Sequence, residues 1–383
     1  MFYPVSPDNG RHHFFGYYDV SPWNRKGDKF LCLETSFMDR PPGPEDEATL
    51  LLIEIPGKKV HVIDKTKAWN WQMGCRLQWL PSAPNSKILY NARQKDRFVT
   101  VILDVETGNK KIITMPTYAV SRDGKKAVSL NFSRLNDTRP GYGYAGIPDA
   151  NASNNMPDDD GLFLLDFESG RSKMILSYEQ IVSFEHTDEM DGCKHRINHL
   201  FWRPDNQRIL FLHRWRVDER QVRTRMLTVN PEGTELNCAG YSHYISHYDW
   251  QHIDKILVWA QLGGFPPDYL MVSEFGGRVE PLKQGRFSGD GHCSWSPDKK
   301  WVLADTYPDE KLKYGVFLYH PSSDTMKTVA ELTSPKEIGG ETRCDLHPRW
   351  HPNGKAVSFD GVTSGKRRVF VADVSEIIGG VAS

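Results

Sequence analysis

One short pattern recurs seven times along the 383 residues, and it restricts the fold more than any other property of the chain. The turns read VSPWNRKGDK, WLPSAPNSK, VSRDGKK, WRPDNQR, WQHIDK, WSPDKK and WHPNGK, opening at Val20, Trp79, Val120, Trp202, Trp250, Trp295 and Trp350. An apolar run follows each: KFLCLE, KILYNA, KAVSLNF, RILFLHRW, KILVWAQ, WVLADTY and KAVSFDG. A further strand then ends in a hairpin turn, as in TVILDVETGNKKII, LFLLDFESGRSKMIL and YLMVSEFGGRVEPL. Short alternating runs closed by Gly, Asn and Asp turns are hairpin signatures. Self-similarity at a period of about 45 residues marks a repeat architecture.

Seven units of roughly four strands predict an all-β protein, a seven-bladed β-propeller formed as one domain over 1–383. SYEQIVSFEH is the one short helical candidate. The last unit runs out near Ile378 before a fourth strand, so residues 2–6 (FYPVS) are expected to supply that strand and close the ring. Naming the strands of each blade A to D from the innermost, the long segments 35–48, 134–160, 177–197 and 331–345 fall in B–C or D–A connections. Such loops are expected on one face, and long loops on a rigid scaffold commonly carry function.

The bulk properties narrow the function. A net charge of −1 and a pI near 6.9 give no basis for a nucleic-acid or membrane-surface partner. No apolar run approaches the length of a membrane span. MFYPVSPDNGRHHFF lacks the basic-then-apolar layout of a secretory signal, which fits a cytoplasmic protein; a periplasmic or secreted protein that had lost its leader would read the same. Six single cysteines without a CxxC pair suit reduced thiols.

Counting back three residues from each turn-opening position gives Tyr17, Arg76, Thr117, His199, His247, His292 and His347. Four of the 14 histidines thus occupy one structural position in four successive units. On the innermost strands they are expected to form an arc of imidazoles at the channel mouth. Imidazole is the commonest transition-metal ligand and the usual general base near neutral pH. With Asp345 and Cys344 nearby, His292 and His347 would suit Zn²⁺ or Mn²⁺. The alternative reading is a repeat-derived histidine bonded to the backbone of a neighbouring blade. The B-strand ends add Arg93, Asn131, Arg134, His213, Arg214, Tyr307 and Asp360, and the RPGYGY insertion adds Arg139, Tyr142 and Tyr144. Arginine binds carboxylates bidentately and tyrosine stacks on sugars. RPGYGY could equally be a structured turn, and Arg214 a charge pair with Asp218 or Glu219.

WSPDKK and WHPNGK resemble the WSPDGK turn of TolB-like propellers. Histidines on the innermost strands, one of them just before such a turn, make the chain similar to the oligogalacturonate lyases, with the ulvan lyases a related comparison. In the oligogalacturonate lyases three histidines and a glutamine hold Mn²⁺. The resemblance places His347 and His292 at two ligand positions, with Asp345 where a histidine is expected and Thr342 where the glutamine is expected. It implies β-elimination on an acidic, uronate-containing oligosaccharide or polysaccharide. The roles it suggests are a divalent metal at His292, Asp345 and His347 with Cys344, His199 or His247 as base, Tyr248 as acid and Arg214 as carboxylate clamp. Arg76, Tyr17, Arg134, Arg139, Tyr142, Tyr144 and Tyr307 would contact substrate. The competing expectations are a non-catalytic propeller that binds a glycan or protein on the same face, and a hydrolase, for which no carboxylate pair stands out. The oligomeric state is not encoded in any of these features.

Overall fold

The computed structural model describes residues 1–218 and 221–380, and Glu219 lies outside them. Among the described residues the strands form seven sheets, each of four antiparallel strands, as a seven-bladed β-propeller requires. Six sheets take their strands in chain order. The A strands are His12–Phe14, Gln78–Trp79, Ala119–Val120, His195–Trp202, Ile245–Trp250, Ser294–Trp295 and Arg349–Trp350. The seventh sheet is completed by Phe2–Pro4, which pairs with Lys366–Asp373 through Phe2 to Ala372 and Pro4 to Phe370. Phe2 also packs edge-on against Phe359 and Phe370, each at 5.4 Å between ring centroids. The closing strand expected from FYPVS is therefore present.

The recurrent turns have a common physical basis. In SPDKK the Ser296 hydroxyl donates to Asp298 at 2.6 Å and accepts from Trp301 N at 3.0 Å; Ser121 does the same with Asp123 and Lys126 in SRDGK. Five of the seven turns have one left-handed position, filled by Gly27, Gly124, Asn206, Lys299 or Gly354. Short polar side chains that bond their own backbone, with glycine or asparagine at positive φ, are what such turns require. Three of the turn-opening tryptophans reach the preceding blade: Trp202 Nε1 donates to Ala119 O at 3.1 Å, Trp79 Nε1 to Pro22 O at 3.0 Å and Trp350 Nε1 to Ser294 O at 3.4 Å. Apolar side chains from neighbouring blades then fill the gaps. One such cluster holds Leu212, Met226, Tyr248, Trp250 and Val258, and another holds Leu303, Val316, Trp350, Phe359 and Phe370.

Residue packing divides the chain into two compact units. The first contains Met1–Ala92, Ile102–Lys110 and the segment from Gly289 onward; the second contains Arg93–Val101 and Lys111–Ser288. Each of the long insertions is a B–C or D–A connection, as expected. Two carry helices. Phe132–Thr138 is capped by Asn131, whose side chain accepts from Ser133 N and Arg134 N, and Tyr178–Ser183 opens with a Ser177–Gln180 capping box. The first of these was not expected from sequence, because its buried residues Phe132–Leu135 are consecutive and include Ser133 and Arg134, so they make no apolar stripe at helical spacing. No helix among the described residues is long and apolar enough to cross a membrane.

Candidate functional site

The register position three residues before each turn is where the innermost strand leaves its ladder. Arg76, His199 and His347 all adopt left-handed backbone, with φ of 56°, 54° and 43°. The residue before each of two of them still pairs with the B strand, through Asn91 N to Cys75 O at 2.7 Å and Asp360 N to Leu346 O at 2.8 Å. In the fourth blade the pairing register shifts between Asn198 and Phe201, and in the fifth between Ile245 and Tyr248. In these two blades the register residue thus lies in a bulge, a device that re-aims a side chain. Left-handed backbone at a non-glycine residue costs about 1–3 kcal/mol and persists only where surrounding structure imposes it.

In the first unit three donors come together. One donor atom each from His292, Asp345 and His347 lies within 4.8 Å of the others, all three residues being buried. The two imidazole rings meet edge-on at 4.2 Å. Beneath them is Asp305, 2% exposed, at the end of strand Val302–Asp305. Its carboxylate accepts from His292 N at 2.6 Å, faces His292 Nδ1 at 3.0 Å and accepts from His347 N at 3.0 Å. Gly291 allows this approach, since a Cβ there would sit 1.9 Å from Asp305 O. Asp345 is held in turn by Arg343 Nε at 2.8 Å. Tyr17 lies edge-on to His347 at 4.9 Å, while Tyr18 and Tyr307 approach His292 at 5.3 and 5.6 Å. Two imidazoles and a carboxylate backed by a second carboxylate form a donor set suited to Zn²⁺ or Mn²⁺.

Cys344 is not part of this group. Successive residues of an extended segment point to opposite sides, and its thiol packs with Ile338, Val362 and Met38, where burial pushes its pKa up to about 12. Thr342, at the position where a glutamine is expected, hydrogen-bonds Gly339 O at 2.9 Å. Arg76 is buried and makes a bidentate pair with Asp19 at 2.9 and 2.7 Å, so its guanidinium is committed to the protein.

In the second unit the rings of His199 and His247 meet at 5.4 Å. His199 N donates to the Tyr118 hydroxyl at 3.0 Å, and Ser246 Oγ lies 3.2 Å from His247 Nδ1. Tyr248 is fully buried in the apolar cluster between the fourth and fifth blades, and its hydroxyl donates to His199 O. That environment corrects the expectation of an acid facing substrate. Arg134 is likewise structural. It is fully buried and donates to the carbonyls of His195, Asn151, Asn154 and Asn155, pinning the insertion. Tyr144 stacks on Phe132 at 4.3 Å and Tyr142 is buried beneath Arg139, so the RPGYGY stretch is the structured turn. Arg214 is half-buried and donates to Ile245 O at 2.7 Å.

Sequence reasoning missed Asp305, although a signal existed. Asp305 in WVLAD and Asp360 in AVSFD lie on equivalent B strands, Val302–Asp305 and Ala356–Thr363. Asp360 accepts from Phe15 N at 3.2 Å, as Asp305 does from His347 N, so in both cases a B-strand aspartate secures the next innermost strand. Also missed was the buried chain in which His195 Nδ1 lies 2.9 Å from His213 Nε2 and Arg225 Nε donates to His213 Nδ1 at 3.2 Å.

Searches against protein-family models and against curated proteins return no match. Solved structures do match. An oligogalacturonate lyase from Vibrio parahaemolyticus aligns with a TM-score of 0.68 at 14% identity, over 98% of this chain and 94% of its own. An oligogalacturonate lyase in complex with manganese aligns with a TM-score of 0.72 at 16% identity, over 99% and 94%. The β-propeller domain of the trilobed protease from Pyrococcus furiosus aligns with a TM-score of 0.55 at 11% identity, over 95% and 96%. At these identities the likeness establishes that the chain has the seven-bladed propeller fold that the sequence repeats predict.

Proposed function

We propose that the protein is a metal-assisted lyase that cleaves a uronate-containing oligosaccharide by β-elimination. The observation that carries this reading is the buried His292–Asp345–His347 group, set just before the innermost strands Ser294–Trp295 and Arg349–Trp350 and backed by Asp305. The likeness to oligogalacturonate lyases, one of them described in complex with manganese, supports the substrate class and the metal. A divalent cation held by His292, Asp345 and His347 would neutralise the uronate carboxylate and so acidify the proton at C5. The rings of Tyr17, Tyr18 and Tyr307 lie against the imidazoles. Our candidates for the base that takes the C5 proton are His199 and His247, since a neutral imidazole nitrogen can accept a proton. Tyr248 is not our candidate acid, because its hydroxyl is spent on a carbonyl inside an apolar cluster.

The test is an ultraviolet scan for unsaturated uronate product. Pectic, ulvan-type, glucuronan and glycosaminoglycan fragments would be supplied with Mn²⁺, with Zn²⁺ and with chelator. A metal-dependent rise that disappears in His292→Ala and His347→Ala is the expected result. No rise on any fragment, together with tight glycan binding, would instead establish a non-catalytic glycan-binding propeller.

A further inference from the structure

Asp345 is the member of the donor group farthest along the chain from a strand. It lies between Thr325–Thr333 and Arg349–Trp350, just after the short helical turn Gly340–Thr342 and outside both ladders. Carbonyls on such a segment have no sheet partner and must be satisfied in another way. Three successive ones, Glu341 O, Thr342 O and Arg343 O, are taken by two side chains from other parts of the first unit. Gln72 Nε2 donates to Arg343 O at 3.1 Å and to Glu341 O at 3.4 Å. Arg367 Nη2 donates to Thr342 O and to Arg343 O, the latter at 3.3 Å. Arg343 in turn gives its Nε to both oxygens of Asp345, at 2.8 and 3.1 Å, and its Nη1 to Gly340 O at 3.1 Å. The carboxylate is thus fixed by a segment whose main chain is itself held from outside.

Both side chains stand on firm supports. Gln72 is fully buried in a closed loop, where Asn70 Oδ1 accepts from Gln72 N at 3.1 Å and from Met73 N at 2.7 Å. Gly74 of that loop is left-handed, and a Cβ there would lie 2.7 Å from Phe15 O, so the loop is seated against the end of His12–Phe14. Arg367 is 1% exposed on strand Lys366–Asp373, with its Cζ 4.2 Å from the centroid of the Trp71 ring. Trp71 Nε1 donates to Arg40 O at 2.8 Å, which ties the ring to the insertion 35–48. Stability alone does not account for these two choices. Gln72 Oε1 and Arg367 Nε are buried without a hydrogen-bond partner among the described residues, and such groups carry a desolvation cost. Apolar residues of similar volume often stabilise a fold as well or better, but they could not hold three carbonyls.

We propose that Gln72 and Arg367 are positioning residues for the metal: by holding Glu341–Arg343 they fix Asp345 where it completes the donor set with His292 and His347. The inference rests on the metal group of the lyase reading. His292 and His347 each lie close to a strand, so the loop that carries Asp345 is the element that needs holding. Groups that orient a ligand commonly change metal affinity by about 10–100-fold.

The experiment compares Gln72→Met and Arg367→Met with the parent by calorimetric titration with Mn²⁺. A second readout is the visible absorption of the Co²⁺-loaded protein, whose bands follow coordination geometry. Both variants are expected to bind Mn²⁺ about tenfold or more weakly, and their Co²⁺ spectra at saturation should differ from the parent's. Arg208→Met, which breaks a buried ion pair with Glu274 in the second unit, should lower Tm and leave both metal readouts parental. That comparison separates positioning from a general loss of stability. Gln72→Met removes no charge and keeps the side chain's length, so it carries the test if Arg367→Met folds poorly. Parental affinity and spectrum in a folded variant would overturn the role of that residue, and equal changes in Arg208→Met would overturn both. Failure of the parent to take up either ion would overturn the proposal together with the metal site. Metal readouts that depend on Gln72 and Arg367 in a protein without lyase activity leave the positioning in place and remove the lyase reading. Lyase activity with parental metal readouts in both variants has the opposite meaning.

Discussion

Replacing Asp305 with asparagine removes a charge and one acceptor oxygen from beneath both imidazoles of the donor group. The native carboxylate meets three N–H groups at 2.6 to 3.0 Å: His292 N, His292 Nδ1 and His347 N. An asparagine side chain has one acceptor oxygen, and its NH₂ must face at least one of these donors. Hydrogen bonds to a charged acceptor contribute about 1.5–3 kcal/mol each, and a buried donor left unmatched costs about as much again. Losing one bond and weakening the others therefore predicts a loss of about 3–4 kcal/mol in unfolding free energy. The carboxylate also keeps the His292 proton on Nδ1, presenting Nε2 as the donor atom, and His347 loses the bond that secures its left-handed backbone. Removal of such a partner typically lowers metal affinity by about 10–100-fold. Urea unfolding followed by tryptophan fluorescence measures the first quantity, and calorimetric titration with Mn²⁺ the second. Nitrogen-15 shifts of His292 report the tautomer without any metal. A variant within about 1 kcal/mol of the parent, with unchanged Mn²⁺ affinity and the same tautomer, would refute the reasoning.

The remaining predictions concern buried groups whose surroundings are known. Burial, and then the charges of Arg134 and Arg225, lower the His195 pKa to about 4 from its ordinary 6.5. The unfolded chain therefore binds the extra proton first, so this contribution is present above pH 6.5 and is lost as pH falls towards 4, by up to about 3 kcal/mol. His195→Gln should flatten that part of the stability–pH curve measured by urea unfolding. Cys344→Ser should cost about 1–3 kcal/mol by placing a hydroxyl in an apolar cluster, while Mn²⁺ affinity by calorimetry stays that of the parent. Tyr248→Phe should cost about 1 kcal/mol in thermal unfolding and retain most of any lyase activity; a loss of activity beyond about a hundredfold would restore Tyr248 as an acid.

What the sequence revealed and what it hid follow from two kinds of interaction. The blades were legible because turn chemistry is local: a serine or asparagine folding back on its own backbone leaves the same signature wherever it occurs. The histidine register was legible because it is a fixed offset from that turn, and it led directly to His292, Asp345 and His347. The partners of those residues were hidden because they come from elsewhere in the chain. Asp305 reaches His347 across 42 positions, and Arg76 meets Asp19 across 57. Direction was the other hidden variable. Cys344 and Tyr248 each adjoin a residue of interest but point into apolar packing. Arg134 and Tyr144 sit in an insertion whose side chains turn inward to hold it together.

The strand that completes the seventh sheet sets an order on synthesis. Phe2 meets Ala372, so Phe2–Pro4 has no partner until Lys366–Asp373 has been made. Most of the second unit, Lys111–Ser288, is continuous and has its sheet partners as soon as it emerges. The first unit is assembled from both ends of the chain, and its last sheet closes one of the longest loops this sequence allows. During that interval the open edge of strand Lys366–Asp373 is a ready template for another copy's Phe2–Pro4. Exchange of this short segment between nascent chains is accordingly the characteristic way for the protein to misassemble.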